Sequence, residues 1–178
     1  MKKIGMSVLL TAALFLTGCS EKEIPEETSA QTTTVTDPEP DHSMLRSFTL
    51  NEAFAEVTAA GRVFAFPIPL TELEEVGSFS DCQYTDSRLT FPDGTYAQAY
   101  SDGSSINCLR FELGSSPSDF SVVGLNLGSG SDIIFQTGIP DYMTGDMERG
   151  SAGYTGAGRQ CINIEFKEGK LLAVTITQ

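Results

Sequence analysis

The stretch QCINIEFKEGKLLAVTIT, residues 160–177, carries the clearest structural signal in the chain. Apolar side chains occupy every second position of its two halves, which is the period of a β-strand with one buried face. Glu168 and Gly169 lie between the halves as a tight turn. The stretch therefore predicts an antiparallel hairpin with one face in the core and one in water. The predicted inward-facing residues are Ile162, Ile164, Phe166, Leu172, Val174 and Ile176.

A second group of strands is predicted upstream, in RLTFPDGTYAQAYSDGSSINCLRFEL, residues 88–113. Pro-Asp-Gly at 92–94 and Ser-Asp-Gly-Ser at 101–104 are turn sequences that divide it into three strands. Leu109, Phe111 and Leu113 alternate on one face of the third strand. The pattern indicates a three-stranded meander.

Three short helices are predicted near residues 51–60, 72–76 and 131–137. Each begins one or two residues after the first member of a pair that fits a capping box, and each is followed by a glycine that can end a helix. The pairs are Thr49 with Glu52, Thr71 with Glu74, and Ser129 with Asp132, and the glycines are Gly61, Gly77 and Gly138.

A sheet with one buried face needs a cover, and these helices are the only predicted elements that could supply it. The expected fold is therefore α+β, with short helices packed on one face of an antiparallel sheet, in a single domain over residues 45–178.

The segment GLNLGSGSDIIFQTGIPD, residues 124–141, resembles a strand, cap, short helix and G-x-P exit found in small exported lipoproteins of Gram-positive bacteria. The same plan is similar to β-lactamase-inhibitor-like domains and to small outer-membrane assembly lipoproteins. FAFPIPLTELEEVGSF, residues 64–79, could be a companion element, which would give two related helix-plus-sheet halves. The resemblance implies an α+β fold and a role in binding other proteins.

Catalytic signatures are missing from the predicted domain. The only histidine, His42, precedes it, so a Ser-His-Asp or Cys-His arrangement has no histidine there. The cysteines lack C-x-x-C spacing, and no phosphate loop or calcium loop is present. We therefore expect that the protein binds no metal ion or cofactor and is not an enzyme. Carboxylates remain as candidates for a hydrolase, although each lies in turn-rich sequence where acids commonly cap turns; they are Asp81, Asp86, Asp93, Asp102, Asp119 and Asp146.

The glycine-rich stretch RGSAGYTGAGR, residues 149–159, has two interpretations. It could be a mobile binding loop in which Tyr154 stacks on a ligand and Arg149 or Arg159 meets an anionic group. It could equally be a flexible hairpin connection.

Three cysteines lie in the predicted domain, Cys82, Cys108 and Cys161. Alternation places Cys108 and Cys161 among charged neighbours, on the outward side of their strands. One disulfide among the three is one expectation, and Cys82 to Cys108 is the pairing considered. In an anaerobic habitat all three would be reduced.

The N-terminus begins with Lys2 and Lys3 and continues with an apolar run that is too short to span a bilayer, a layout typical of a secretory signal peptide. Residues 16–19, Leu-Thr-Gly-Cys, resemble the bacterial lipobox. The resemblance implies cleavage between Gly18 and Cys19 and acylation of Cys19, and two or more acyl chains hold a protein stably in a membrane. An ordinary secretory signal with an incidental cysteine is the alternative.

Residues 19–44 are predicted to form an acidic, disordered tether, because they contain seven acidic residues, one lysine and few large apolar side chains. Removal of residues 1–18 would delete two lysines and no acids, which moves the formal charge from -13 to -15. Such an excess of acid argues against nucleic acid as a partner.

The leading hypothesis is a non-enzymatic lipoprotein, anchored to the outer face of a bacterial cell membrane, that binds a protein or peptide. A second hypothesis is a small-molecule or cell-wall-fragment binding module built on residues 149–159. A carboxylate-dependent hydrolase is third.

Overall fold

The computed structural model describes residues 47–82 and 87–178. The predicted signal peptide at 1–18, the tether at 19–44, the acylation site Cys19 and the candidate acid Asp86 lie outside these residues. No helix within the described part is long and apolar enough to cross a membrane.

Most of the ordered secondary structure is antiparallel β-sheet, in a short sheet and a long sheet. The short sheet contains β1 (Val57–Ala59), β2 (Arg62–Phe64), β8 (Ser121–Val122) and β9 (Leu125–Asn126). The long sheet contains β3 (Ile68–Pro69), β4 (Ser78–Ser80), β5 (Arg88–Thr90), β6 (Tyr96–Ser101), β7 (Ser105–Glu112), β10 (Tyr142–Gly145), β11 (Arg149–Thr155), β12 (Cys161–Lys167) and β13 (Lys170–Thr177). The helices are α1 (Leu50–Ala55), α2 (Ile133–Thr137) and a 3₁₀ turn, Leu73–Glu75.

The long sheet consists of two meanders, β4–β7 and β10–β13, that meet where β7 pairs with β13. Its strand order is β10-β11-β12-β13-β7-β6-β5-β4. β3 pairs with the start of β7, at Ile68 and Ile106, beyond the point where β13 ends. A short helical turn precedes each meander, Leu73–Glu75 in one case and α2 in the other.

The α+β expectation is wrong, because strands account for 47% of the described residues and helices for only 11%. The predicted helix at 51–60 ends at Ala55, and the residues that follow form the β1–β2 hairpin. Ala60 and Gly61 are its two turn residues, both with positive φ, as a tight hairpin turn requires. The short sheet thus supplies much of the cover that was assigned to helices.

Of the three predicted capping boxes, only the first is present. Thr49 Oγ1 accepts a hydrogen bond from the Glu52 amide at 3.2 Å, and Glu52 accepts one from the Thr49 amide at 2.7 Å. The 3₁₀ turn and α2 begin after Glu72 and Asp132, and neither residue caps with its side chain. Gly138 does end α2.

The predicted hairpin and meander are confirmed, with two corrections: one in β13, and one at Leu113, which lies beyond the end of β7 and is exposed instead of facing the core with Leu109 and Phe111. Strands β12 and β13 pair around the turn at Glu168 and Gly169, and β5–β7 form the predicted meander. A β-bulge leaves Leu172 as an extra residue, since Ala173 opposes Glu165 while Leu171 opposes Phe166. Leu171, not Leu172, is therefore the buried residue.

One hydrophobic core joins the two sheets. Phe111 of β7 stacks on Phe120, with ring centroids 4.0 Å apart, and Phe91 stacks on the other side at 6.1 Å. Phe54 of α1 packs edge-on against Phe66. The aromatic rings of the core thus come from the long sheet and from the segments that flank the short one.

Candidate functional site

Residues 149–155, the first seven of the stretch that was predicted to be a loop, form strand β11. Tyr154 is fully buried, and its hydroxyl oxygen lies 2.6 Å from Thr137 Oγ1 and 3.1 and 3.2 Å from the carbonyl oxygens of Ile134 and Gly138. Tyr154 therefore ties β11 to α2 and presents no surface on which a ligand could stack.

The two arginines of that stretch are far apart. Arg149 is the first residue of β11, whereas the exposed Arg159 follows the last residue of the strand. Six residue steps along a strand span about 20 Å. The structure therefore does not bring Arg149, Tyr154 and Arg159 together as one site.

The solvent-facing side of the long sheet, opposite the core, is the strongest candidate for a functional surface, and we call it the outer face. Cross-strand pairs place one residue from each of seven strands in one row across it, and all but the glycine are polar. From β5 to β10 the row contains Arg88, Gln98, Arg110, Thr175, Asn163, Gly153 and Tyr142. A neighbouring row contains Tyr100, Cys108, Thr177, Cys161 and Thr155.

Arg110 and Glu165 form a bidentate ion pair at the centre of the outer face. Arg110 Nη2 donates to Glu165 Oε2 at 2.9 Å, and Nη1 donates to Oε1. This hydrogen bonding lowers the pKa of Glu165 and raises that of Arg110. The stability that Glu165 contributes is present above the ordinary pKa of a glutamate and is lost as the pH falls through the lowered one. The pair bridges β7 and β12 over β13, and so holds the guanidinium in one orientation.

Three tyrosines project from the outer face. The Arg88 guanidinium carbon lies 4.4 Å from the ring centroid of Tyr96, a cation–π arrangement. Tyr100 is 52% exposed. Tyr142 donates to Asn163 Oδ1 at 2.9 Å and covers Gly153, where an added Cβ would lie 2.3 Å from the tyrosine hydroxyl. Burial is the largest cause of a rise in the pKa of Tyr142 to about 12.

Positive charge is concentrated on the outer face of an otherwise acidic chain. Of the seven Lys and Arg residues between 47 and 178, five lie on its strands. They are Arg88, Arg110, Arg149, Lys167 and Lys170. Arg149 opposes Lys167, and Lys167 opposes Lys170, so three cations are adjacent across β11, β12 and β13. Glu112 and Glu165 are the acids that strand register places on the same face.

Cys108 and Cys161 lie on the outer face, as alternation predicts, but they are not neighbours. Both oppose Thr177 of β13, one from each side. Two strand spacings separate their Cα atoms by about 9.5 Å, well beyond the 4.4–6.8 Å of a disulfide. Cys82 is exposed, and all three thiols are free. The structure thus contains no disulfide among them, neither Cys82 to Cys108 nor any other.

We predict that iodoacetamide at neutral pH modifies Cys82 first and Cys161 at least about tenfold more slowly. Cys82 is exposed, whereas burial raises the pKa of Cys161 and so lowers its thiolate fraction. Mass spectrometry of peptides from a time course measures the rates, with urea-unfolded protein as the control in which they converge. Equal rates in the folded protein, or a peptide that links Cys108 to Cys161, would contradict the prediction.

The candidate acids serve turns. Asp93 accepts hydrogen bonds from the hydroxyl and the amide of Thr95, and Asp102 accepts one from the amide of Ser104; these bonds lower both pKa values, that of Asp102 to about 2. A general acid requires the opposite shift. Asp119 and Asp146 likewise accept from backbone amides of tight turns, and Asp81 accepts from Ser87 Oγ. In the described ranges no three His, Cys, Asp or Glu residues are grouped to hold a metal ion.

Comparison with protein-family models, with curated proteins and with solved structures finds no match to this chain.

Proposed function

We propose that this chain is a bacterial lipoprotein, anchored to the outer face of the cell membrane, whose β domain binds a protein or peptide partner without catalysis. The outer face of the long sheet is the binding surface. The observation that carries the proposal is the combination of three tyrosines with two arginines that are already held by ring or carboxylate contacts. Tyrosine and arginine dominate the energetics of protein interfaces.

Preorganisation supports this role. Arg110 is fixed by Glu165, Arg88 lies against Tyr96, and Tyr142 is bonded to Asn163. A side chain that is already ordered loses less conformational entropy when a partner covers it. The positive charge of this face, in a chain of formal charge -13, also favours an acidic partner surface and faster association.

The anchor part of the proposal is supported by the sequence of residues 1–18 and by Leu16, Thr17, Gly18 and Cys19. A flexible tether of the length of residues 19–44 has a root-mean-square span of about 25–30 Å. That span would keep the outer face accessible above a membrane surface.

The test is crosslinking on intact cells with the full-length protein as bait, followed by titration of the captured partner with the purified domain. Replacing both Arg88 and Tyr100 with alanine is expected to weaken binding at least about thirtyfold, because each resembles a typical hot-spot residue. Arg159→Ala, an exposed arginine away from this face, is the matched control. Equal binding by the double variant and the parent would refute the proposal.

A small-molecule or cell-wall-fragment site is the second candidate, and Arg149 is the residue that supports it. Arg149 lines a shallow cavity of about 470 Å³ with Ser151, Asn163 and Lys167. This alternative predicts that the crosslinking experiment captures no protein. It also predicts that cell-wall fragments raise the melting temperature of the parent protein but not that of Arg149→Ala.

A further inference from the structure

Among the described residues, strand β2 forms an unpaired edge of the short sheet, whereas the outer face belongs to the long sheet. It pairs on one side only, with β1, through the registers Ala59–Arg62, Thr58–Val63 and Val57–Phe64. Because the hairpin turn contains two residues, Ala59 and Arg62 exchange the hydrogen bonds next to it, and the backbone of Val63 points away from β1. Val63 is 66% exposed.

The outward-pointing pattern continues for one further position. Phe66 donates its amide to the Phe54 carbonyl, which leaves Ala65 as the next residue that faces outwards. No described residue forms a hydrogen bond with the backbone of Val63 or Ala65. Two residues spaced in this way present the donors and acceptors that an added strand uses.

A cavity beside β2 runs along this edge. It has a volume of about 660 Å³, and residues 62–65 all line it. Successive strand residues point to opposite faces, so a cavity lined by four of them in a row lies along the edge, not on a face. The buried side chains of Phe64, Ile68 and Val76 give it an apolar floor.

Two carboxylates form the opposite wall of the cavity. Glu72 and Glu75 lie three residues apart at the 3₁₀ turn, a spacing that places both on one side. Both are exposed, and neither forms an ion pair with a described residue. An occupant of the cavity therefore meets the backbone edge, the apolar floor and these two carboxylates, and Arg62 also lines the cavity.

We propose that the β2 edge binds an extended segment of a partner protein as an added strand, with an apolar side chain over Phe64 and Val76 and a lysine or arginine against Glu72 and Glu75. Backbone pairing supplies the affinity, and the alternate side chains supply the specificity. Charge favours this occupant over a second copy of the chain, because two copies of formal charge -13 repel each other.

The test uses synthetic capped heptapeptides of alternating Lys and Val with the full-length chain in solution. One peptide carries Lys, a second carries Glu at the same positions, and a third is the Lys peptide with alternate amides N-methylated. Titration by NMR reports the amides of Val63 and Ala65 directly. The Lys peptide is expected to shift and protect them, the Glu peptide to bind at least about fivefold more weakly, and the methylated peptide not to protect them.

Val63→Pro is expected to weaken binding of the Lys peptide at least about tenfold, because proline removes the outward N–H. Proline is tolerated at such an edge position, and Val63→Thr, which keeps the N–H, is the matched control. Glu72→Gln with Glu75→Gln should weaken binding about two- to fivefold for each carboxylate. The Arg88→Ala, Tyr100→Ala variant should bind the peptide normally, which separates this site from the outer face.

Three results would overturn the inference. They are equal binding of the Lys and Glu peptides, unchanged binding by Val63→Pro, and no binding up to millimolar peptide. Concentration-dependent protection of the Val63 amide without peptide would assign the edge to a second copy of the chain instead.

Discussion

Tyr154→Ala is expected to lower the free energy of unfolding by about 3–5 kcal/mol, the range for truncating a large buried aromatic residue. The side chain is fully buried, and Phe48 packs edge-on against it with ring centroids 5.1 Å apart. Truncation would leave a cavity between β11, α2 and the ring of Phe48. Urea unfolding followed by circular dichroism measures the loss.

Tyr154→Phe separates the contribution of the hydroxyl to stability from that of the ring. It keeps the packing but removes the hydrogen bonds of the hydroxyl with Thr137 Oγ1 and with the carbonyl oxygens of Ile134 and Gly138. Thr137 Oγ1 still donates to the Ile134 carbonyl at 2.9 Å, so the expected loss is that of a buried hydrogen bond, about 0.5–1.5 kcal/mol. Tyr100→Ala, at an exposed tyrosine, is the control and should stay within about 0.5 kcal/mol of the parent. A Tyr154→Ala protein of parental stability would show that Tyr154 is not a core residue.

The burial of Tyr154 could not be predicted from the sequence, because a glycine-rich stretch is compatible both with a flexible loop and with a closely packed strand. Four glycines among residues 149–159 suggest flexibility, yet the two that lie in β11, Gly150 and Gly153, permit close approach of a neighbouring strand. An added Cβ at Gly150 would lie 2.2 Å from the Thr144 carbonyl oxygen, and one at Gly153 would meet the Tyr142 ring. Both constraints come from β10, whose pairing with β11 leaves no trace in the local pattern.

Strand length decided which other elements could be predicted. Strands β7, β12 and β13 are seven or eight residues long, enough for alternation to be unambiguous. The strands of the short sheet contain two or three residues, and β1 was interpreted instead as the end of the helix predicted at 51–60. A short apolar run cannot be assigned to helix or strand from its period.

The outer face was predictable in its polarity but not in its contacts. Alternation places Arg110, Cys108, Cys161 and Glu165 on the solvent side of their strands. The Arg110–Glu165 pair, however, requires β7 and β12 to flank β13, and this order joins two meanders that are distant in sequence. Sequence patterns fix which way a strand faces, whereas the identity of its neighbours depends on the whole sheet.

Phe111→Ala is expected to be as destabilising as Tyr154→Ala, at about 3–5 kcal/mol. Phe111 lies fully buried on the core face of β7 and stacks on Phe120, which leads into β8 of the short sheet. The expected loss of unfolding free energy therefore comes from the contact between the two sheets. Urea unfolding again measures it, and Phe111→Leu, which keeps most of the volume, should cost less than about 1.5 kcal/mol.

A double-mutant cycle between Phe111 and Phe120 tests whether the ring stack itself joins the sheets. With centroids 4.0 Å apart and planes inclined by 20°, the pair is expected to show a coupling energy of about 0.5–1.5 kcal/mol. Phe54 packs edge-on against Phe66 and forms no ring pair with Phe111 or Phe120, so Phe54→Ala combined with Phe111→Ala should be additive. If the unfolding free energies of the two single variants simply added in the double variant, each ring would be held by its own sheet. Burial without specific stacking would then be enough to keep the short sheet packed on the long one.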